Sequence, residues 1–148
     1  MFDKDDVNHA FQPVISTKHQ RTIGYEALIR HDRMRPEELF TMARERENLY
    51  WLDTLSIEEA VKTFNFEMNG QLFLNIFPST LLDANFHFFM ENLMETCIRK
   101  PSEVVFEINE TSIEEYGWNT AALKERISLL RKWGFVIAID DVGAGAAS

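Results

Sequence analysis

Cysteine occurs once in this chain, at Cys97, which excludes both a disulfide framework and a thiolate metal cage. No apolar run approaches the roughly 18 residues that a membrane-spanning helix needs. The opening residues, Met1-Phe2-Asp3-Lys4-Asp5-Asp6, are acidic where a secretory signal would be basic and then apolar. Basic residues are outnumbered, 15 against 24 acidic ones, for a net charge of −9. That excludes a sequence-independent binder of nucleic-acid polymers, which needs a basic face. It does not exclude a small phosphate ligand, because bound metal ions reverse the sign locally. The four histidines, His9, His19, His31 and His87, show no paired helical spacing, which sets zinc aside. Internal repeats, low-complexity tracts and linkers are also missing. The expectation is one domain over residues 1–148, cytoplasmic and without membrane contact, with a 45% hydrophobic share ample for one core.

What the chain does contain is five short apolar runs, each with an oxygen-bearing residue at or near its end. They are Phe11-Gln12-Pro13-Val14-Ile15, Ile23-Gly24-Tyr25-Glu26-Ala27-Leu28-Ile29-Arg30, Leu72-Phe73-Leu74-Asn75-Ile76, Val104-Val105-Phe106-Glu107-Ile108-Asn109 and Val136-Ile137-Ala138-Ile139-Asp140-Asp141. Hard divalent cations take carboxylate and amide oxygens, and a ring of parallel strands can aim several of them at one point.

The first two runs are separated only by Thr17-Lys18-His19-Gln20-Arg21, too short for a parallel crossover, so they should pair antiparallel. Strands and helices alternate from there. Pro36-Glu37-Glu38 opens a helix with proline and acids in its first turn. A second helix is predicted over about residues 48–66 and a third over about 86–98. A fourth has Asn119 as its cap, Leu123, Ile127 and Leu130 at helical spacing, and its end at Trp133-Gly134. Near-continuous apolar strands alternating with such helices predict an α/β fold with a parallel sheet. No glycine-rich turn follows the first strand, against a dinucleotide-binding sheet. A (β/α) TIM-type barrel with an antiparallel first pair is favoured. Such a barrel has eight strands and roughly 250 residues, so this chain is expected to hold about five of the eight and to be incomplete at its C-terminal side.

Strand alternation puts Gly24, Glu26, Leu28 and Arg30 on one face of their strand. With the matching faces turned inward, Glu26, Asn75, Glu107 and Asp140 converge at the barrel mouth, Arg30 stands nearer the rim as a bidentate phosphate contact, and Asp141 serves a second ion. Each has a structural alternative. Glu26 could pair with Arg30 or a neighbouring basic residue, Asn75 and Glu107 could bridge backbone groups at a strand end, Asp140-Asp141 could be turn chemistry, and Arg30 could be a surface cation. Phe86-His87-Phe88-Phe89-Met90 reads as a helix face packing on the barrel, and Trp51, Trp118 and Trp133 as packing residues. The acids Glu37-Glu38 and Glu114-Glu115 read as helix starts, and Glu110 as a solvated or capping acid.

Tyr25-Glu26-Ala27-Leu28-Ile29-Arg30 resembles the signature of EAL domains, the bacterial cyclic di-GMP phosphodiesterases. Gln12-Pro13-Val14, Leu74-Asn75-Ile76, Phe106-Glu107-Ile108-Asn109-Glu110 and Asp140-Asp141-Val142-Gly143-Ala144-Gly145 match other motifs of that family in order. The resemblance implies a modified (β/α)8 barrel that hydrolyses one phosphodiester bond of cyclic di-GMP to linear pGpG. It implies two Mg2+ or Mn2+ ions held by Glu26, Asn75, Glu107, Asp140 and Asp141, with Glu26, Asp140 and Asp141 catalytic, and Gln12, Leu28 and Arg30 on the dinucleotide. Two such ions clamp the phosphate and lower the pKa of the attacking water. One departure is the loop after the carboxylate pair, where Val142, Ala144 and Ala146 replace larger or hydroxylated residues of a Phe-Gly-Thr-Gly-Tyr pattern.

The competing expectation is a non-catalytic module of the same fold that binds cyclic di-GMP or a protein partner. Because the family's later strands supply a water-positioning lysine, the 148 residues alone are expected not to hydrolyse the dinucleotide. Val136-Ile137-Ala138-Ile139 is an uncharged, β-prone edge suited to homodimer or edge-strand association.

Overall fold

Alternation along two adjacent strands sets the architecture. In this computed structural model, which describes residues 4–98, 100–109 and 120–140, β3 (Gln71–Ile76) buries Leu72, Leu74 and Ile76. The fourth strand, β4 (Val104–Asn109), buries Val104, Phe106 and Ile108 on the same side. The two run parallel, with Leu72 beside Val104 and Ile76 beside Ile108. Burying each of these side chains contributes about 2 kcal/mol.

Three further strands complete the sheet among the described residues. β1 (Val7–Ser16) pairs antiparallel with β2 (Arg21–His31), as the short connection requires, and β5 (Val136–Asp140) lies parallel to β4. The spatial order β1-β2-β3-β4-β5 follows the sequence, with every pair after the first parallel. This is the expected α/β wall with its antiparallel first pair.

The helices are α1 (Pro36–Glu45), α2 (Leu49–Thr63), α3 (Phe66–Asn69), α4 (Pro78–Leu82), α5 (Phe86–Thr96) and α6 (Thr120–Lys132). Ile57 and Val61 of α2, Leu81 of α4, Phe86 and Met90 of α5 and Leu130 of α6 pack on the buried side of β3 and β4. A second cluster, Val7, Ile29, Leu39, Ala43 and Leu52, ties α1 and the start of α2 to the first two strands. The other side of the sheet carries Glu26, Asn75 and Glu107, with Phe73 and the buried Val105 one pleat before the last two.

Several boundaries depart from the sequence reading, each for a local reason. The second helix stops at Thr63, because Phe64 is extended and the Asn65 side chain accepts the Glu67 N–H at 3.2 Å to open the separate turn α3. The third predicted helix ends at Thr96 rather than near 98. Helix α4 was not expected; it starts at Pro78, one residue past the extended Phe77. At the end of α6, Gly134 takes the left-handed φ of 105° that lets Phe135 N–H reach the Leu130 carbonyl at 3.1 Å. Phe86 and Met90 pack inward as predicted, whereas Phe88 is 72% exposed. Trp133 packs on the core, and Trp51 is 37% exposed. Asn119, Trp118, Glu110, Glu114, Glu115 and the loop from Asp141 onward lie outside the described residues. No described helix is long and apolar enough to cross a membrane.

Gly24 sits opposite Gln71 in the short β2–β3 ladder, and a Cβ there would run into the Gln71 carbonyl oxygen. Backbone cannot step aside as a side chain can. Gly24→Ala is therefore expected to destabilise the fold by about 2 kcal/mol, as overpacking does. Urea denaturation measures this, and an unchanged midpoint would show that the strands have room to part.

Candidate functional site

The pairing of β2 with β3 is short. It covers Gly24–Glu26 against Gln71–Phe73, although β2 continues to His31 and β3 to Ile76. The ladder thus ends at the register position of Glu26, and the strands open into a cavity of about 320 Å³. Its lining includes Leu28, Arg30, Phe40, Asn75, Phe77 and Glu107.

Three of the predicted oxygen donors meet at this opening. The Asn75 amide Nδ2 donates to Glu26 Oε2 at 3.0 Å, across the seam where the backbone ladder has stopped. Glu107 stands beside Asn75 in the parallel register, and its Oε1 is buried. Two carboxylates and an amide, all oxygen donors from three strands, suit a hard divalent cation. Among the described residues, no three His, Cys, Asp or Glu side chains gather in a metal-binding group, so this set of two acids and one amide is what the described chain offers. Asp140 ends β5 with its backbone beside Asn109, one pleat beyond Ala138, which neighbours Glu107. Asp141 lies outside the described residues.

The predicted dinucleotide contacts fall around the same opening. Gln12 is the antiparallel partner of Glu26, so the two side chains share a face. Leu28 lines the cavity. Arg30 is exposed at the rim, where its Nη1 donates to its neighbour Ile29's carbonyl at 2.9 Å; a guanidinium has five donors, so one such bond still permits a bidentate phosphate contact. No Glu26–Arg30 ion pair forms.

Two buried titratable groups behind the opening were not singled out by sequence reasoning. Asp53 of α2 is 3% exposed; its Oδ2 accepts the Phe77 N–H at 3.1 Å and the Thr80 hydroxyl at 2.5 Å. Burial pushes its carboxyl up to about 7 against the pull of these two donors. His9 of β1 shares a hydrogen bond of 2.9 Å with Ser56 of α2, and burial, helped by the Arg30 charge, lowers it to about 4. The available signal was positional: Asp53 precedes Ile57, Ala60 and Val61 by four, seven and eight residues, so it stands on the apolar stripe of its helix.

The EAL domain family model matches residues 1–148. No curated protein sequence matches the chain. Among solved structures, the chain is similar to the PaMucR phosphodiesterase in its cyclic di-GMP complex, with a TM-score of 0.82 and 19% identity, covering 98% of this chain and 62% of that one. It is also similar to BlrP1 of Klebsiella pneumoniae in its manganese and cyclic di-GMP complex, with a TM-score of 0.77 and 25% identity, covering 97% of this chain and 36% of that one. A calcium and cyclic di-GMP complex of the same Klebsiella protein aligns with a TM-score of 0.77 at 26% identity, over 95% of this chain and 36% of that one. The chain therefore spans about a third to three-fifths of the length of these structures.

The two buried groups pull the pH dependence of stability in opposite directions. Asp53 is raised from 3.8 to about 7, so the folded state holds its proton longer than the unfolded state, and stability falls as pH rises through that window. His9 is lowered from 6.5 to about 4, so its contribution is present above 6.5 and lost as pH falls. In the wild type they largely cancel. Asp53→Asn should gain stability on wild type as pH rises from about 4 to about 7, by at most about 1.4 kcal/mol per pH unit. His9→Gln should lose ground over the lower part of that range. Urea midpoints across the interval check both, and parallel curves for all three proteins would refute the two assignments.

Proposed function

Because the chain belongs to the EAL domain family, we propose that it binds cyclic di-GMP at the mouth of the β2–β3–β4 wall with Mg2+ or Mn2+, and that the site serves hydrolysis to linear pGpG. The observation that carries this reading is the Asn75–Glu26 hydrogen bond across the open seam, with Glu107 next in register. Support comes from the similar solved structures, whose bound states combine cyclic di-GMP with manganese or calcium.

In this reading Glu26, Asn75, Glu107 and Asp140 hold a first ion, and Asp140 with Asp141 a second. When bound, such ions neutralise phosphate charge and make water a nucleophile near neutral pH. The chain's own side chains do the positioning. Arg30 takes a phosphate oxygen pair at the rim, Leu28 presents an apolar wall, and Gln12 offers an amide beside Glu26. A net charge of −9 makes Arg30 and the ions necessary to an anionic ligand. Self-association, as a homodimer or by edge-strand pairing, is part of the proposal.

Titration calorimetry with Mn2+ and then cyclic di-GMP tests the site. Glu26→Ala should weaken Mn2+ binding by more than about tenfold, since even supporting residues of metal sites cost that much. Arg30→Ala should leave Mn2+ affinity alone and weaken the dinucleotide by about tenfold or more, the worth of a charge-assisted hydrogen bond. Equal Mn2+ affinity in wild type and Glu26→Ala would sink the assignment. Hydrolysis is proposed for the complete protein only, so saturable, metal-dependent binding without release is the expected result for these 148 residues, and robust release of pGpG by them would overturn that expectation.

A further inference from the structure

We propose that Asp53 is the positioning residue for Asn75: from helix α2 it ties down the turn that ends β3 and so fixes where the Asn75 amide stands relative to Glu26.

The need for such a device follows from the sheet. On its β4 side, Asn75 is held in a regular ladder, beside Glu107 and followed by Ile76 beside Ile108. On its β2 side there is no ladder beyond Phe73. The backbone at Asn75 is therefore supported from one side only, at the place where its side chain must reach across the seam to Glu26.

The missing support arrives from behind. Two residues after Asn75, the Phe77 N–H donates to Asp53 Oδ2 at 3.1 Å, and the same oxygen accepts the Thr80 hydroxyl at 2.5 Å. Pro78 lies between them and has no N–H, so the turn can be held through Phe77 and Thr80 but not through residue 78. The Phe77 ring is gripped in turn by α1: Phe40 meets it edge-on at 5.3 Å, and the Arg44 guanidinium lies 5.3 Å from its centre. Ile76, between Asn75 and Phe77, is buried in the main core. Ile76, Phe77 and Thr80 are thus anchored, and Asp53 holds two of those three anchors with a single oxygen. Among the described residues no cation pairs with Asp53, so a carboxylate has been buried for hydrogen bonding alone.

The inference rests on the reading of Asn75 as a metal ligand, and the test separates the two. Nuclear magnetic resonance of the 148-residue chain follows the Asn75 side-chain amide, and calorimetry follows Mn2+ affinity. In Asp53→Ala the Asn75 amide resonances are expected to move and Mn2+ affinity to fall about tenfold. Asp53→Asn, which keeps one oxygen able to accept both bonds, is expected to restore both. A folded Asp53→Ala with Asn75 resonances in place, or with wild-type affinity at a working metal site, overturns the proposal. If wild type binds no Mn2+, or Asn75→Ala binds it as well as wild type, the metal reading fails instead, and the positioning role is decided by the amide resonances alone. Should Asp53→Ala not fold, Thr80→Val removes one of the two bonds, and unmoved Asn75 resonances in that variant overturn the proposal equally.

Discussion

Everything at the candidate site depends on the period of two along β3 and β4. Leu72, Leu74 and Ile76, with Val104, Phe106 and Ile108, must face the helices, because that is where the apolar surface of α2, α5 and α6 is buried. Once they do, Asn75 and Glu107 have no choice of side. A slip of one residue would bury both polar groups and expose six apolar ones. The oxygen donors are therefore placed by the hydrophobic residues between them, and the chemistry of the opening is a by-product of register. The parallel ladder then sets them side by side, Asn75 next to Glu107.

The rear of the same wall carries an opposite arrangement, in which polar groups are buried deliberately. His9 with Ser56 joins α2 to β1, and Asp53 with Phe77 and Thr80 joins α2 to the start of α4, both through hydrogen bonds rather than apolar contact. A buried hydrogen bond specifies direction, which a leucine against a leucine does not. Helix α2 thus has two functions along one face. Ile57, Ala60 and Val61 supply burial, and Asp53 and Ser56 supply orientation at the end nearest the opening.

Much of this was legible in the sequence, and what was not has an identifiable cause. The five strands announced themselves because continuous Val, Ile, Leu and Phe runs persist only where both faces of a strand can be covered. The antiparallel first pair followed from the length of the Thr17–Arg21 connection, and the meeting of Glu26 with Asn75 followed from strand parity. The break at Asn65 was hidden because Phe64 and Phe66 continue an apolar pattern, while the local Asn65–Glu67 bond decides the backbone. Asp53 was hidden for a different reason. An acid on a helix is ordinarily solvated, and only the arrival of Phe77 and Thr80, 24 and 27 residues later, gives its oxygen donors to bind. Local pattern can report a face, but not the partner that reaches it from elsewhere in the chain.

The early end of the β2–β3 ladder has one more consequence. Glu26 is the last β2 residue paired with β3, and beyond it no ladder joins β2 to Asn75. The part of β2 past Glu26, from Ala27 to His31, is tied to β1 but not to β3, so its distance from Asn75 is not fixed by a ladder. Under the proposed metal reading, with the Asn75 side tied down through Phe77 and Thr80, the opening would act as a caliper with one fixed jaw rather than as a mould. The span offered to an ion would then be set by the stiffness of the main chain along β2 as well as by the identity of the donors.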